Sequence, residues 1–144
     1  MEIVRRQTKP LMIGKVQVGG GAPIAVQSMT NTDTRDSTAT INQINMLASA
    51  GCEIVRVAVP DQAAAAELPV ILRNVTIPVI ADIHFDYRLA LAAIEAGVHG
   101  LRINPGNIGG RAKVTEVAAA AKDRGIPIRV GVNAGSLEKH LLAN

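Results

Sequence analysis

Aromatic residues are nearly missing from this sequence: Phe85 and Tyr87 are the only two, and tryptophan is absent. Stacking of successive bases on aromatic platforms, the usual grip on single-stranded nucleic acid, is excluded as a binding mode. Cysteine is almost as scarce. Cys52 stands alone, so neither a disulfide framework nor an intrachain cysteine metal site can be built. No apolar run approaches the roughly 20 residues a membrane-crossing helix needs. The opening MEIVRRQTKP lacks the hydrophobic core of a signal peptide. A strong charge of either sign is missing too, since the formal net charge is +3 and the Lys and Arg residues are scattered. That balance suits an anionic small molecule and gives no basic face for nucleic acid. Together these absences predict a cytoplasmic protein in a reducing setting, with no nucleic-acid and no membrane partner.

What remains is aliphatic. The chain has 144 residues, 48% hydrophobic and 19% charged, enough for one domain with a real core. Its organising stretch runs from Ile77 to Asn107 and reads as strand, helix, strand. Pro78–Ile83 is too short for a helix and is rich in Val and Ile. Asp86 is placed to cap a helix over Tyr87–Ala96, with Gly97 as a left-handed stop. Val98–Ile103 is a second apolar run, closed by the turn Asn104-Pro105-Gly106-Asn107. Polar pairs sit where each strand ends, Asp82 with His84 and Arg102 with Asn104. Residues two apart on a strand point the same way, so each strand aims a polar pair at one end of the sheet.

The flanking segments repeat the pattern. Leu11–Ile24 suggests a hairpin of two short strands turning at Gly19-Gly20-Gly21. A phosphate-cradling loop would open onto a helix, whereas a strand-like run follows here. Pro23–Gln27 is then the first core strand. A helix begins at Asp36 or Ser37, with Ile41, Ile44, Leu47 and Ala48 on one face, and Gly51 ends it. Glu53–Val59 is a strand buried on both faces and broken by Arg56. Asp61 caps an alanine-rich helix in which Pro69 predicts a kink or break. Gly109-Gly110 lead into a helix with Val114, Val117, Ala118 and Ala121 on one face, closed by Gly125. Ile126–Val132 is the fifth strand, ending at Asn133-Ala134-Gly135-Ser136, and Leu137 starts one more helix.

The period is roughly 25–30 residues, that of a strand–helix pair. EIVRVAVP, GLRINPG and PIRVGVN each place an arginine within or near the end of an apolar strand. Alternating strands and helices imply a parallel sheet with right-handed crossovers. No glycine-rich dinucleotide fingerprint follows the first strand, which disfavours a doubly wound sheet. Repeated strand ends suit an α/β barrel of TIM type, whose site is assembled from the C-terminal ends of several strands. A hairpin, four βα units and a fifth strand make about half of such a barrel, which takes about 250 residues. The expectation is therefore that the chain is one partial barrel domain from a longer protein.

Arg56, Arg102 and Arg129 fall on neighbouring strands near that end. A charged residue inside an apolar strand must find a partner. One reading is salt bridging to Glu53, Asp82 or a helix carboxylate; the other is a convergent grip on phosphate or diphosphate, which planar guanidinium groups bind through paired hydrogen bonds. Asp82 and His84 suit acid–base work, polar substrate contact or a metal ligand pair, although no third ligand stands at matching spacing. The turns starting at Asn104 and Asn133 serve as plain turns or as backbone-amide cradles for phosphate oxygens. Cys52 follows a helix-ending glycine at the opposite end, as a small buried residue rather than a nucleophile.

The strings APIAVQSMTNT, IVRVAVP, ADIHFDYRLAL, LRINPGNIG and IPIRVGVNAGSLEK closely resemble the 4-hydroxy-3-methylbut-2-enyl diphosphate synthase family, over nearly the whole chain from about Arg5 to Leu142. The resemblance implies a barrel related to dihydropteroate synthase, followed by a C-terminal domain carrying a 4Fe-4S cluster that this chain lacks. It implies reductive ring opening and dehydration of 2-C-methyl-D-erythritol 2,4-cyclodiphosphate in isoprenoid biosynthesis, with electrons from ferredoxin or flavodoxin and a homodimeric assembly. Arg56, Arg102 and Arg129 match family positions suited to a diphosphate clamp, and Asn133 can add a hydrogen bond. Asp82 and His84 match positions near the substrate skeleton, and Cys52 matches no cluster ligand. The alternatives are another barrel enzyme, such as a pterin-binding synthase or metal-dependent lyase, and a non-catalytic half-barrel module.

Overall fold

A computed structural model describes residues 4–137. The order of elements is β1 (Leu11–Ile13), β2 (Val16–Val18), β3 (Gln27–Met29), α1 (Ser37–Ser49), β4 (Ile54–Val59), α2 (Gln62–Arg73), β5 (Val79–Ile83), α3 (Tyr87–Ala96), β6 (Gly100–Ile103), α4 (Arg111–Asp123) and β7 (Ile128–Val130). A short 3₁₀ turn follows at Ala134–Ser136. Strands β3 to β7 form a parallel sheet in strict sequence order. A doubly wound sheet reverses its order partway. The uninterrupted progression is that of a barrel wall, so the expected half barrel is what the chain builds.

Each helix starts where its sequence allows. Asp36, Asp61 and Asp86 accept hydrogen bonds from the backbone N–H groups of Ala39, Ala64 and Arg88, satisfying donors that the first helical turn leaves unpaired. Helix α3 ends on Gly97 at φ 93°, a left-handed stop that a side chain would strain. The break expected at Pro69 does not occur, and Gln62–Arg73 is one helix. An internal proline costs about 3 kcal/mol. The flanking Leu68 and Ile71 are fully buried, and each contributes roughly 1.5–3 kcal/mol, which offsets that cost.

The sheet separates two kinds of interior. Val55, Val57 and Val59 of β4, Val79, Ala81 and Ile83 of β5, and Leu101 and Ile103 of β6 face the helices in one aliphatic core. On α4 that core takes Val114, Val117, Ala120 and Ala121, while Ala118, expected on the same face, is exposed. The alternate residues face the barrel axis, where Ile54 and Ile80 pack with Ile13 of the hairpin. Strands β4, β5 and β6 start one or two residues later than expected, and three further differences are larger. The hairpin turns at Gly14-Lys15, not at Gly19-Gly20-Gly21, which follow β2. The first core strand is Gln27–Met29 rather than Pro23–Gln27, because Pro23 has no N–H to give a ladder and Ile24 lies outside in solvent. The fifth strand shortens to Ile128–Val130. The helix expected from Leu137 onward lies outside the described residues apart from Leu137 itself, which is extended.

The hairpin closes the N-terminal end of the half barrel. Gly14, at φ 55°, brings its turn so close that a β-carbon there would stand 3.0 Å from both His99 Cδ2 and Pro78 Cγ. His99 Nδ1 accepts a hydrogen bond from the Val79 N–H at 3.1 Å, and burial holds its imidazole below the ordinary histidine pKa. The unfolded chain binds a proton at about pH 6.5 that the folded chain refuses, so stability present above that pH declines as pH falls through it toward the lower folded value. His99→Asn, which keeps an acceptor and removes the titration, is expected to flatten the fall in thermal midpoint between about pH 6.5 and pH 5; a fall of unchanged steepness would place its origin elsewhere.

Candidate functional site

Strand register carries the polar residues to one rim. Arg102 pairs across the sheet with Asp82 on one side and Arg129 on the other, while Ala58 pairs with Asp82 on the far side. Ala58, Asp82, Arg102 and Arg129 therefore form one lateral row on the axis-facing side, toward the C-terminal ends of the strands. Arg56 and Met29 stand opposite one another one step below that row. The residues below Asp82 on this face are the apolar Ile80 and Ile54, so polarity is confined to the open end.

The carboxylate of Asp82, 3% exposed, is the centre of this arrangement. One oxygen, Oδ2, lies 3.2 Å from Arg56 Nε; the other, Oδ1, accepts from Arg102 Nη1 at 3.3 Å. His84 Nε2 stands 3.7 Å from Oδ2, on the same face as the two-residue spacing requires. Arg56 Nε also lies 3.4 Å from Met29 Sδ, a weak acceptor. Each guanidinium side chain keeps about a quarter of its exposure, at 26% for Arg56 and 24% for Arg102. Both arginines thus have a structural partner, as the plainer sequence reading holds. One carboxylate shared by two guanidinium groups still leaves a positive charge over, facing the open end. Arg129 is exposed beside Arg102 and adds to it.

The two predicted asparagines do different work. Asn104 is buried, and its Nδ2 donates to Ser136 Oγ at 2.8 Å while its Oδ1 accepts from the Gly106 N–H at 3.2 Å. Asn133 Oδ1 accepts from the Ser136 N–H, and the Asn133 N–H donates to Ser136 Oγ. Ser136 therefore ties the turn after β6 to the turn after β7. Gly106 packs against the Ser136 carbonyl so closely that no side chain fits there. Among the described residues, neither asparagine hydrogen-bonds to the arginine row. The sequence reading missed Ser136 and Met29 as members of this rim. Met29 was findable from register, because a residue directly across from Arg56 must share its face.

Metal ligation finds no support in these side chains. Among the described residues no group of three or more His, Cys, Asp and Glu converges. Cys52 is buried at the other end of β4, with its Sγ 3.1 Å from the Ile54 carbonyl oxygen. The residues present do not fit an iron–sulfur cluster.

An in-order parallel sheet with its helices on one face and a cationic rim at the strand C-termini defines part of an α/β barrel with a positively charged open end. Comparison with known proteins sharpens this. The chain matches the GcpE TIM-barrel domain over residues 8–144 and belongs to that family. It is 65% identical over 139 residues to the 4-hydroxy-3-methylbut-2-en-1-yl diphosphate synthase (flavodoxin) of Geobacter sulfurreducens, covering 96% of this chain and 39% of that protein. The synthases of the same name from Maridesulfovibrio salexigens and Magnetococcus marinus are 63% and 62% identical, with 39% and 37% of their lengths covered. The chain thus spans about two-fifths of the relatives it matches. Among solved structures, mandelate oxidase with benzoyl-formic acid superposes over 93% of this chain and 65% of its own, with a TM-score of 0.55 at 13% identity. That likeness is one of fold alone.

Removing the shared carboxylate leaves two partly buried cations facing each other. Asp82→Ala is expected to destabilise the protein by about 1–3 kcal/mol, below the cost of breaking a fully buried pair because both guanidinium groups stay partly solvated. A denaturation midpoint unchanged from wild type would show that the pairing carries no net stability.

Proposed function

We propose that this chain is part of the substrate-binding barrel of a 4-hydroxy-3-methylbut-2-enyl diphosphate synthase. The enzyme would open the ring of 2-C-methyl-D-erythritol 2,4-cyclodiphosphate by reduction, with loss of water, in cytoplasmic isoprenoid biosynthesis. The observation that carries the reading is the convergence of Arg56 and Arg102 on Asp82, with Arg129 next in the same row. A small cyclic diphosphate needs several donors on one side and a carbon-facing wall on the other. Guanidinium groups held at fixed angles supply paired donors to phosphate oxygens without large reorganisation. Two of the three are already fixed by Asp82, so less ordering remains to be done when substrate binds.

His84 and Asp82 lie beside the clamp and, on this reading, face the carbon skeleton and its hydroxyl groups. His84 is the more accessible of the two, with 38% of its side chain exposed, while Asp82 acts chiefly on the arginines. Asn104 and Asn133 hold the rim's turns in place, and the Asn133 side-chain Nδ2, which has no hydrogen-bond partner among the described residues, would donate to substrate. The electrons required for ring opening would come from flavodoxin, which the relatives' name includes, or ferredoxin. A 4Fe-4S cluster supplies such reducing chemistry in this family, and its ligands would lie outside these 144 residues, in a C-terminal domain of a homodimeric enzyme.

In the full-length protein, Arg56→Ala and Arg102→Ala are each expected to weaken binding of the cyclic diphosphate by about 10- to 100-fold, the loss of about 1.5–3 kcal/mol per charge-assisted contact. Calorimetric titration measures it. Wild-type affinity in both variants would remove the clamp.

A further inference from the structure

Gly131 lies two residues beyond Arg129 and so faces the same side of the sheet. A β-carbon built on it would stand 2.7 Å from Arg102 Nη2, 2.8 Å from Nε and 3.1 Å from Cζ. The guanidinium of Arg102 therefore rests directly on the Gly131 backbone, in the space a side chain would take. Conformational freedom is not the reason for glycine here. Gly131 is not among the glycines with positive φ, and its N–H is paired with the Ile103 carbonyl at 2.9 Å. Alanine suits that backbone. What alanine cannot do is share the space with Arg102.

We propose that Gly131 is a positioning residue of the anion site, seating the Arg102 guanidinium between the backbone beyond β7 and the carboxylate of Asp82. The inference rests on the reading of the arginines as a diphosphate clamp. Asp82 Oδ1 fixes Nη1 from one side, and Gly131 sets how far the Nε and Nη2 edge can settle toward β7. A methyl group at residue 131 forces the guanidinium to swing away. The clashing atoms are the far end of a flexible side chain rather than packed backbone, so the fold tolerates the change while the clamp geometry does not.

The test is a double-mutant cycle in the full-length protein, titrated with 2-C-methyl-D-erythritol 2,4-cyclodiphosphate. Gly131→Ala is expected to weaken binding about fivefold to tenfold, less than the loss of a whole charge-assisted contact, with an unchanged circular dichroism spectrum and melting temperature. Because the clamp holds the diphosphate before and during reaction alike, KM rises while kcat holds. In the Arg102→Ala background the same substitution has nothing left to displace, and the double variant binds no more weakly than Arg102→Ala alone. Wild-type affinity in Gly131→Ala beside a loss in Arg102→Ala overturns the role of Gly131 and leaves the clamp standing. So does a double variant whose loss is the product of the two single losses, or a Gly131→Ala protein that no longer folds. Wild-type affinity in Arg102→Ala removes Arg102 from the clamp and overturns the seat with it, and the clamp as a whole falls only if Arg56→Ala also binds as wild type.

Discussion

One carboxylate, nearly out of reach of water, holds two guanidinium groups that would otherwise repel each other. Asp82 stands on β5, Arg56 on β4 and Arg102 on β6, so this triple contact ties three neighbouring strands together where their ladders end. Desolvating a charge costs several kcal/mol unless it is paired. The cost is contained here by placing the negative charge deepest and leaving the positive ends partly wet. The result is a rim at which Arg56 and Arg102 are held in place by the fold itself.

Beneath that rim the axis-facing side turns abruptly apolar. Ile54 and Ile80 meet Ile13 of the hairpin, and Gly14 seats the hairpin turn against Pro78 and His99. The helix-facing side of the same strands is uniformly aliphatic. Polarity thus varies along the strand on one face and not at all on the other. A sequence with an arginine or aspartate at alternate positions near each strand end produces that division without further instruction.

The regular parts of this architecture were legible in the residues. Aspartates at 61 and 86 were read as helix caps and cap as expected, and the first start, set at Asp36 or Ser37, proves to be capped by Asp36. Strand-end spacing correctly put Asp82 and His84 on one face, and the repeated arginine motif put Arg56 and Arg102 at a common rim. Other features depend on partners distant in the chain. Nothing local to Gly14-Lys15 outcompetes three successive glycines as a turn signal; only the pairing of Leu11 with Val18 selects it. Pro69 looked like an interruption because the packing of Leu68 and Ile71 is invisible in a linear reading. Asn104 and Asn133 read as substrate contacts or loose turns, and their joint dependence on Ser136 emerges only when two turns meet in space.

The unbroken neighbour-to-neighbour order of the five parallel strands bears on how the chain is made. Each strand docks on the one synthesised just before it, so every ladder can close as its segment leaves the ribosome, without waiting for distant sequence. The aspartate of β5 emerges after the arginine of β4 and before that of β6. A nascent chain therefore meets Arg56, Asp82 and Arg102 in alternating sign, positive, negative, positive, and Arg129 of β7 comes last, settling beside Arg102 only after Asp82 is in place.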